Sequence, residues 1–109
     1  MQTVDDPENS VNTNLSFSEL DRENQKITIR NNGSEAVLMD GHILFSKRGG
    51  EFFRFPDGTQ VLPGEYITVS CRGTWEDGEL LWDEDKVWKK DDSARLYDPN
   101  FILLDEISK

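Results

Sequence analysis

A single cysteine and a single histidine are all that this 109-residue chain offers to thiol and imidazole chemistry. Cys71 has no partner for an intramolecular disulfide, and a lone thiol in a small domain tilts the setting towards a reducing compartment. Zinc needs clusters of Cys and His, which one residue of each does not supply. No Gly-x-Ser-x-Gly elbow frames a serine, so a Ser-His-Asp triad has no support. Long apolar runs are missing too. No stretch approaches the roughly 18 residues of a membrane span, and Met1-Gln2-Thr3-Val4-Asp5-Asp6 lacks the positive start and apolar middle of a secretory signal. The expectation is a soluble chain that makes no use of a membrane. Positive charge is also scarce: 12 Lys and Arg stand against 22 Asp and Glu, for a net charge of −10. Such a surface repels phosphate backbones and anionic lipid, which argues against nucleic acid as a partner. Locally basic spots remain at Lys47-Arg48 with Arg54 and at Lys89-Lys90.

What is present is alternation. Leu15-Ser16-Phe17 and Lys26-Ile27-Thr28-Ile29-Arg30 flank the polar turn Asp21–Asn24 and predict an antiparallel pair with Ile27 and Ile29 inward. The turn Asn31-Asn32-Gly33-Ser34 follows, then short extended runs at 37–39, 42–47 and 51–55, each closed by Gly, Asp or Pro. Leu62-Pro63-Gly64 opens a strand over 66–71, and residues 94–104 read as two extended segments around a turn. Turn signals recur every ~8–12 residues with no sustained helical period, the pattern of an all-β sandwich or barrel. Residues 1–13 read as a disordered lead or linker, and residues 14–109 as one domain with one core.

The candidate chemical groups are few. In Tyr66–Cys71 the alternation sets Ile67, Val69 and Cys71 on one face, so Cys71 is expected to be a small core residue rather than a nucleophile. On residues 42–47 Ile43 and Phe45 share a face, leaving His42 with Leu44 on the other. That makes His42 a partly exposed structural histidine rather than a general base. Asp83-Glu84-Asp85 and Asp91-Asp92 suit a hard cation by type, but the spaced loop of a calcium site is absent, and a solvated acidic loop is the reading. No catalytic, metal or cofactor-binding residue is assigned, and no cofactor is expected. Of the three tryptophans, Trp82 and Trp88 suit the core, with an interface as the alternative for each. Trp75 lies between Gly73 and Gly78 in a polar loop, and is the one candidate contact for a protein partner.

Lys26–Gly33, Met39-Asp40-Gly41-His42-Ile43-Leu44, Phe53-Arg54-Phe55-Pro56, Leu62–Val69, then Leu81-Trp82 with Trp88 and Leu96-Tyr97-Asp98, resemble in order the lamin tail domain. His42 stands where that family often carries an aromatic residue. The resemblance runs from about Asn14 to Ile107 and implies an immunoglobulin-like β-sandwich without catalytic activity. It further implies a structural, protein-interaction role in the tail of a nuclear lamin or intermediate-filament protein. On that reading the domain is a monomer by itself, and the full-length chain forms filaments through a coiled coil at the nuclear envelope or cytoskeleton. Related domains are appended to bacterial secreted and surface proteins, so the alternative is an accessory domain of a bacterial surface hydrolase outside the cell.

Overall fold

The computed structural model describes residues 14–108; the lead assigned to residues 1–13 lies outside them. Ten strands follow one another: β1 (Leu15–Asp21), β2 (Lys26–Asn31), β3 (Val37–Leu38), β4 (Ile43–Ser46), β5 (Glu51–Arg54), β6 (Gln60–Val61), β7 (Tyr66–Cys71), β8 (Leu80–Trp82), β9 (Ser93–Tyr97) and β10 (Leu103–Ser108). They form two four-stranded sheets, ordered β1-β2-β7-β8 and β10-β9-β4-β5, and a small β3-β6 ribbon. All pairings are antiparallel except β7 with β8. Among the described residues there is no helix, so none is long and apolar enough to cross a membrane. The two sheets pack face to face as an immunoglobulin-like sandwich.

The β1-β2 turn shows how the sequence builds locally. The Asp21 carboxylate accepts from the Asn24 backbone N–H at 3.0 Å and its side-chain amide at 2.9 Å, and Gln25 then takes a left-handed φ of 56°. This turn aligns Ile27 and Ile29 inward, both fully buried. Ile27 lies opposite Val69 of β7, and Ile29 opposite Ile67. Leu44 and Leu96 fill the facing sheet. Trp82 and Trp88 meet edge to face at 5.6 Å, and Phe53 touches Trp82 at 5.5 Å. Cys71 is buried as expected, within 3.9 Å of the Gln25 Oε1 acceptor.

The sheets are tied where their edges meet. The Phe17 backbone N–H on β1 donates to Asp105 Oδ2 on β10 at 2.8 Å, next to register shifts in both strands. A side-chain carboxylate thus satisfies a backbone donor that an edge strand leaves unpaired.

The assignment of faces on β4 is corrected. His42 is 3 % exposed rather than partly exposed, because the inward face is the one it shares with Leu44 and Ser46. Leu44 lies opposite Phe53 and Leu96, which line the interior, and Ile43 and Phe45 point to the outside of the sheet. Four of the residues at 42–45 are large, so either parity offers a plausible core face; the neighbours across the sheet decide. Ser46 is accommodated inside because its hydroxyl donates to Asp92 Oδ2 at 2.6 Å.

Candidate interaction surface

The loop between β7 and β8 holds Trp75, and it is anchored rather than mobile. Lys26 Nζ meets both oxygens of Glu79 at 2.8 Å, while Glu79 Oε1 also accepts from the Ser70 hydroxyl at 2.7 Å and the Glu76 N–H at 2.9 Å. Burial by itself would raise the Glu79 carboxyl, but Lys26, Ser70 and Glu76 outweigh it and hold it below the ordinary range. The indole N–H of Trp75 donates to the Glu79 carbonyl at 2.7 Å. The ring stays 43 % exposed, at the rim of an open depression of about 490 Å³ beside Asn24, Lys26 and Glu76. Trp82 and Trp88 lie in the core.

The acidic runs divide. Asp83 and Asp85 stay at the surface, each 3.4 Å from the Arg72 guanidinium. Asp92 is a correction to the solvated-loop reading: it is fully buried. Its carboxylate accepts from Ser46 Oγ and from the backbone N–H groups of Arg48, Lys89 and Ser93, at 2.6 to 3.0 Å. Burial pushes its pKa up, yet these four donors win and hold it below the ordinary range. Among the described residues no group of three or more His, Cys, Asp or Glu is placed to hold a metal ion.

His42 and Cys71 are both lodged inside. Neither imidazole nitrogen has a hydrogen-bond partner within bonding geometry among the described residues. Burial lowers the His42 pKa despite the nearby carbonyl groups of Asp40 and Met39, and burial pushes the Cys71 thiol up. A neutral imidazole and a protonated thiol, both out of reach of solvent, are poor partners for nucleophilic chemistry.

A larger surface went unnoticed in the sequence. The cross-strand register lines up two rows over the outside of the β5-β4-β9-β10 sheet. One row runs Arg54, Ile43, Tyr97, Leu103, and the next runs Phe52, Phe45, Arg95, Glu106. Phe45 and Phe52 stack with ring centroids 4.5 Å apart, while Arg95 pairs with Glu106 at 3.3 Å. The β9-β10 turn adds Phe101, whose ring lies 6.0 Å from Tyr97. Asp98 builds that turn, its Oδ1 accepting from the N–H groups of Asn100 and Ile102. Phe101, Ile102 and Leu103 are all exposed, as is Phe52. The outside of the other sheet is different in kind. There Thr28 faces Thr68, Ser16 faces Arg30, and Lys26 faces Ser70, a mostly polar surface whose rows end in exposed Tyr66 beside Arg30 and Leu81 beside Ser70. The outer face of the β5-β4-β9-β10 sheet therefore carries the stacked Phe45-Phe52 pair and the exposed Phe101 together on one side of the domain. Its sequence signal was that residues 43–45 and 52–53 are apolar on both faces of their strands.

A family model described as Lamin Tail Domain matches residues 8–109. No curated protein matches the chain. The match takes in nearly every residue, and the two packed sheets agree with the sandwich of that family. The chain therefore belongs to the lamin tail domain family, a non-catalytic immunoglobulin-like module.

Proposed function

We propose that this domain is a protein-interaction module carried as the tail of a lamin or intermediate-filament protein. The observation that carries the interaction role is the exposed aromatic face of the β5-β4-β9-β10 sheet, a surface a free-standing domain has no reason to leave uncovered. Trp75 is a second contact in this reading, a half-exposed indole oriented by its bond to the Glu79 carbonyl. The filament context draws on family membership and on the two tryptophans with five residues between them, Trp82 and Trp88, a spacing that resembles the lamin and filament branch more than the bacterial one. Nucleic acid is not the partner in this reading, because the net charge of −10 opposes it.

The full-length protein tests the filament role. A heptad-patterned coiled coil beside this domain, with assembly of the purified protein into filaments, is the expected result. A catalytic domain behind an export signal makes the module an accessory of a surface enzyme instead, and overturns the filament reading.

A further inference from the structure

Arg54 sits at the end of the first outward row, beside Ile43. In a domain that carries ten more acids than bases, it has no ion pair or hydrogen bond to its side chain among the described residues. Arg95, two strands away across the sheet, is already matched by Glu106. Arg54 instead borders a depression of about 170 Å³ whose other walls are Ile43, Phe52 and Phe101. That volume admits one large side chain and falls short of the ~300–1,000 Å³ of small-molecule sites. Ile43, 4 % exposed, is its floor.

Phe101 strengthens the case. Its φ of 64° is left-handed, a conformation unfavourable for a bulky residue that persists where the surroundings enforce it. The enforced backbone leaves the ring 61 % exposed, at the edge of the depression rather than folded into the core. An apolar slot for one side chain and an unpaired guanidinium at its rim together specify a ligand with an apolar group next to a carboxylate.

We propose that this face docks a short acidic peptide segment of a partner protein, with one large apolar side chain over Ile43 between Phe52 and Phe101, and an adjacent carboxylate on Arg54. The proposal rests on the interaction-module reading and names the partner chemistry for it. A polyanion such as duplex DNA, or an anionic membrane, fits less well. Either offers many negative charges and no single apolar anchor to fill the slot over Ile43.

The test is an amide-correlation titration of the isotopically labelled chain with the peptide acetyl-Glu-Asp-Phe-Asp-Glu-amide. Two control peptides replace the Phe by Ser, or all four acids by Lys. The expected result is saturable shifts confined to β4, β5 and the 98–102 turn, absent with either control. Arg54→Glu weakens the acidic peptide by roughly tenfold or more and gains affinity for the lysine peptide. Phe52→Ser, at a position already exposed, weakens binding without unfolding, and Glu19→Gln, exposed on β1 of the opposite sheet, leaves it unchanged. The proposal is overturned by no shifts at millimolar peptide, by equal response to acidic and basic peptides, or by tighter binding of duplex DNA on the same amides. Concentration-dependent pairing of the domain through this face likewise overturns it, making a second copy the occupant. A face that ignores the peptide while Trp75→Ala releases a partner of the full-length protein sinks this proposal and leaves the module reading intact.

Discussion

At the scale of single residues, two buried polar groups carry consequences out of proportion to their size. Gln25 spans the β1-β2 turn and the loop before β9. Its Oε1 accepts from the N–H groups of Val87 and Trp88 at 2.7 and 2.8 Å, and its Nε2 donates to the carbonyls of Arg22 and Trp88 at 2.6 and 2.9 Å. Truncation to Ala strands several buried backbone groups at once, each worth ~1–3 kcal/mol. Gln25→Ala is expected to lose about 3–5 kcal/mol in urea-induced unfolding, against under ~0.5 kcal/mol for a typical exposed substitution. His42 sets a pH dependence. Its folded pKa lies below the ordinary 6.5, so the unfolded chain takes up the proton first as pH falls. Stability is complete above about 6.5 and declines below it. Asp92 and Glu79, whose carboxyls are held low, act only in stronger acid. Urea unfolding between about pH 5 and 8 is expected to show the decline in the native chain, and a flatter profile in His42→Phe. Equal profiles would mean that the imidazole is not buried neutral.

At the scale of elements, the β7-β8 loop and the loop before β9 lack regular structure, yet play opposite parts. The first projects Trp75 half into solvent while Glu79 holds its backbone in place. The second turns Val87 and Trp88 into the core and fixes itself through Gln25 and Asp92. Truncating a buried Trp costs roughly 3–5 kcal/mol, so Trp88→Ala is expected to fall in that range. Trp75→Ala forfeits one hydrogen bond and partial burial, and is expected to cost under about 1.5 kcal/mol. Comparable losses in the two variants, by denaturant unfolding, would assign Trp75 to the core and remove it as a contact.

For the whole molecule, charge and surface pattern divide the labour. The net charge of −10 opposes phosphate backbones, and among the described residues a cluster of exposed aromatic and aliphatic side chains, Phe52 and Phe101 to Leu103, gathers on the outside and turn of the β5-β4-β9-β10 sheet. Lys47, Arg48 and Arg54 do share the β4-β5 hairpin and its tip, but three cations beside a −10 domain release few counterions. Duplex DNA is expected to bind no tighter than about 1 µM at physiological salt. A tighter complex lost when these three are changed to Ala would show that the hairpin outweighs the net charge.

Much of the sandwich was legible in the chain. Over Lys26–Arg30 of β2 and Thr68–Cys71 of β7 every second residue is apolar and its neighbours are Lys, Thr, Arg or Ser, so Ile27, Ile29, Val69 and Cys71 had one face available and took it. Strand β9 and the turns at 21–24 and 31–34 were equally plain, but the last extended segment, placed no further than residue 104, stops short of most of β10 (Leu103–Ser108). Tertiary structure decided the rest. His42-Ile43-Leu44-Phe45 is apolar or aromatic on both faces, and a period of two has nothing to choose between them. Leu96 and Phe53 on the flanking strands draw Leu44 inward and His42 with it, leaving Ile43 and Phe45 to build the outer face. Asp91 and Asp92 are chemically alike in sequence, and only the second meets four donors from distant parts of the chain. Alternation along a strand is a local property that the sequence determines wherever one face is polar. The inward face of an all-apolar strand, and the partner of a buried charge, depend on neighbours that only the folded chain brings within reach.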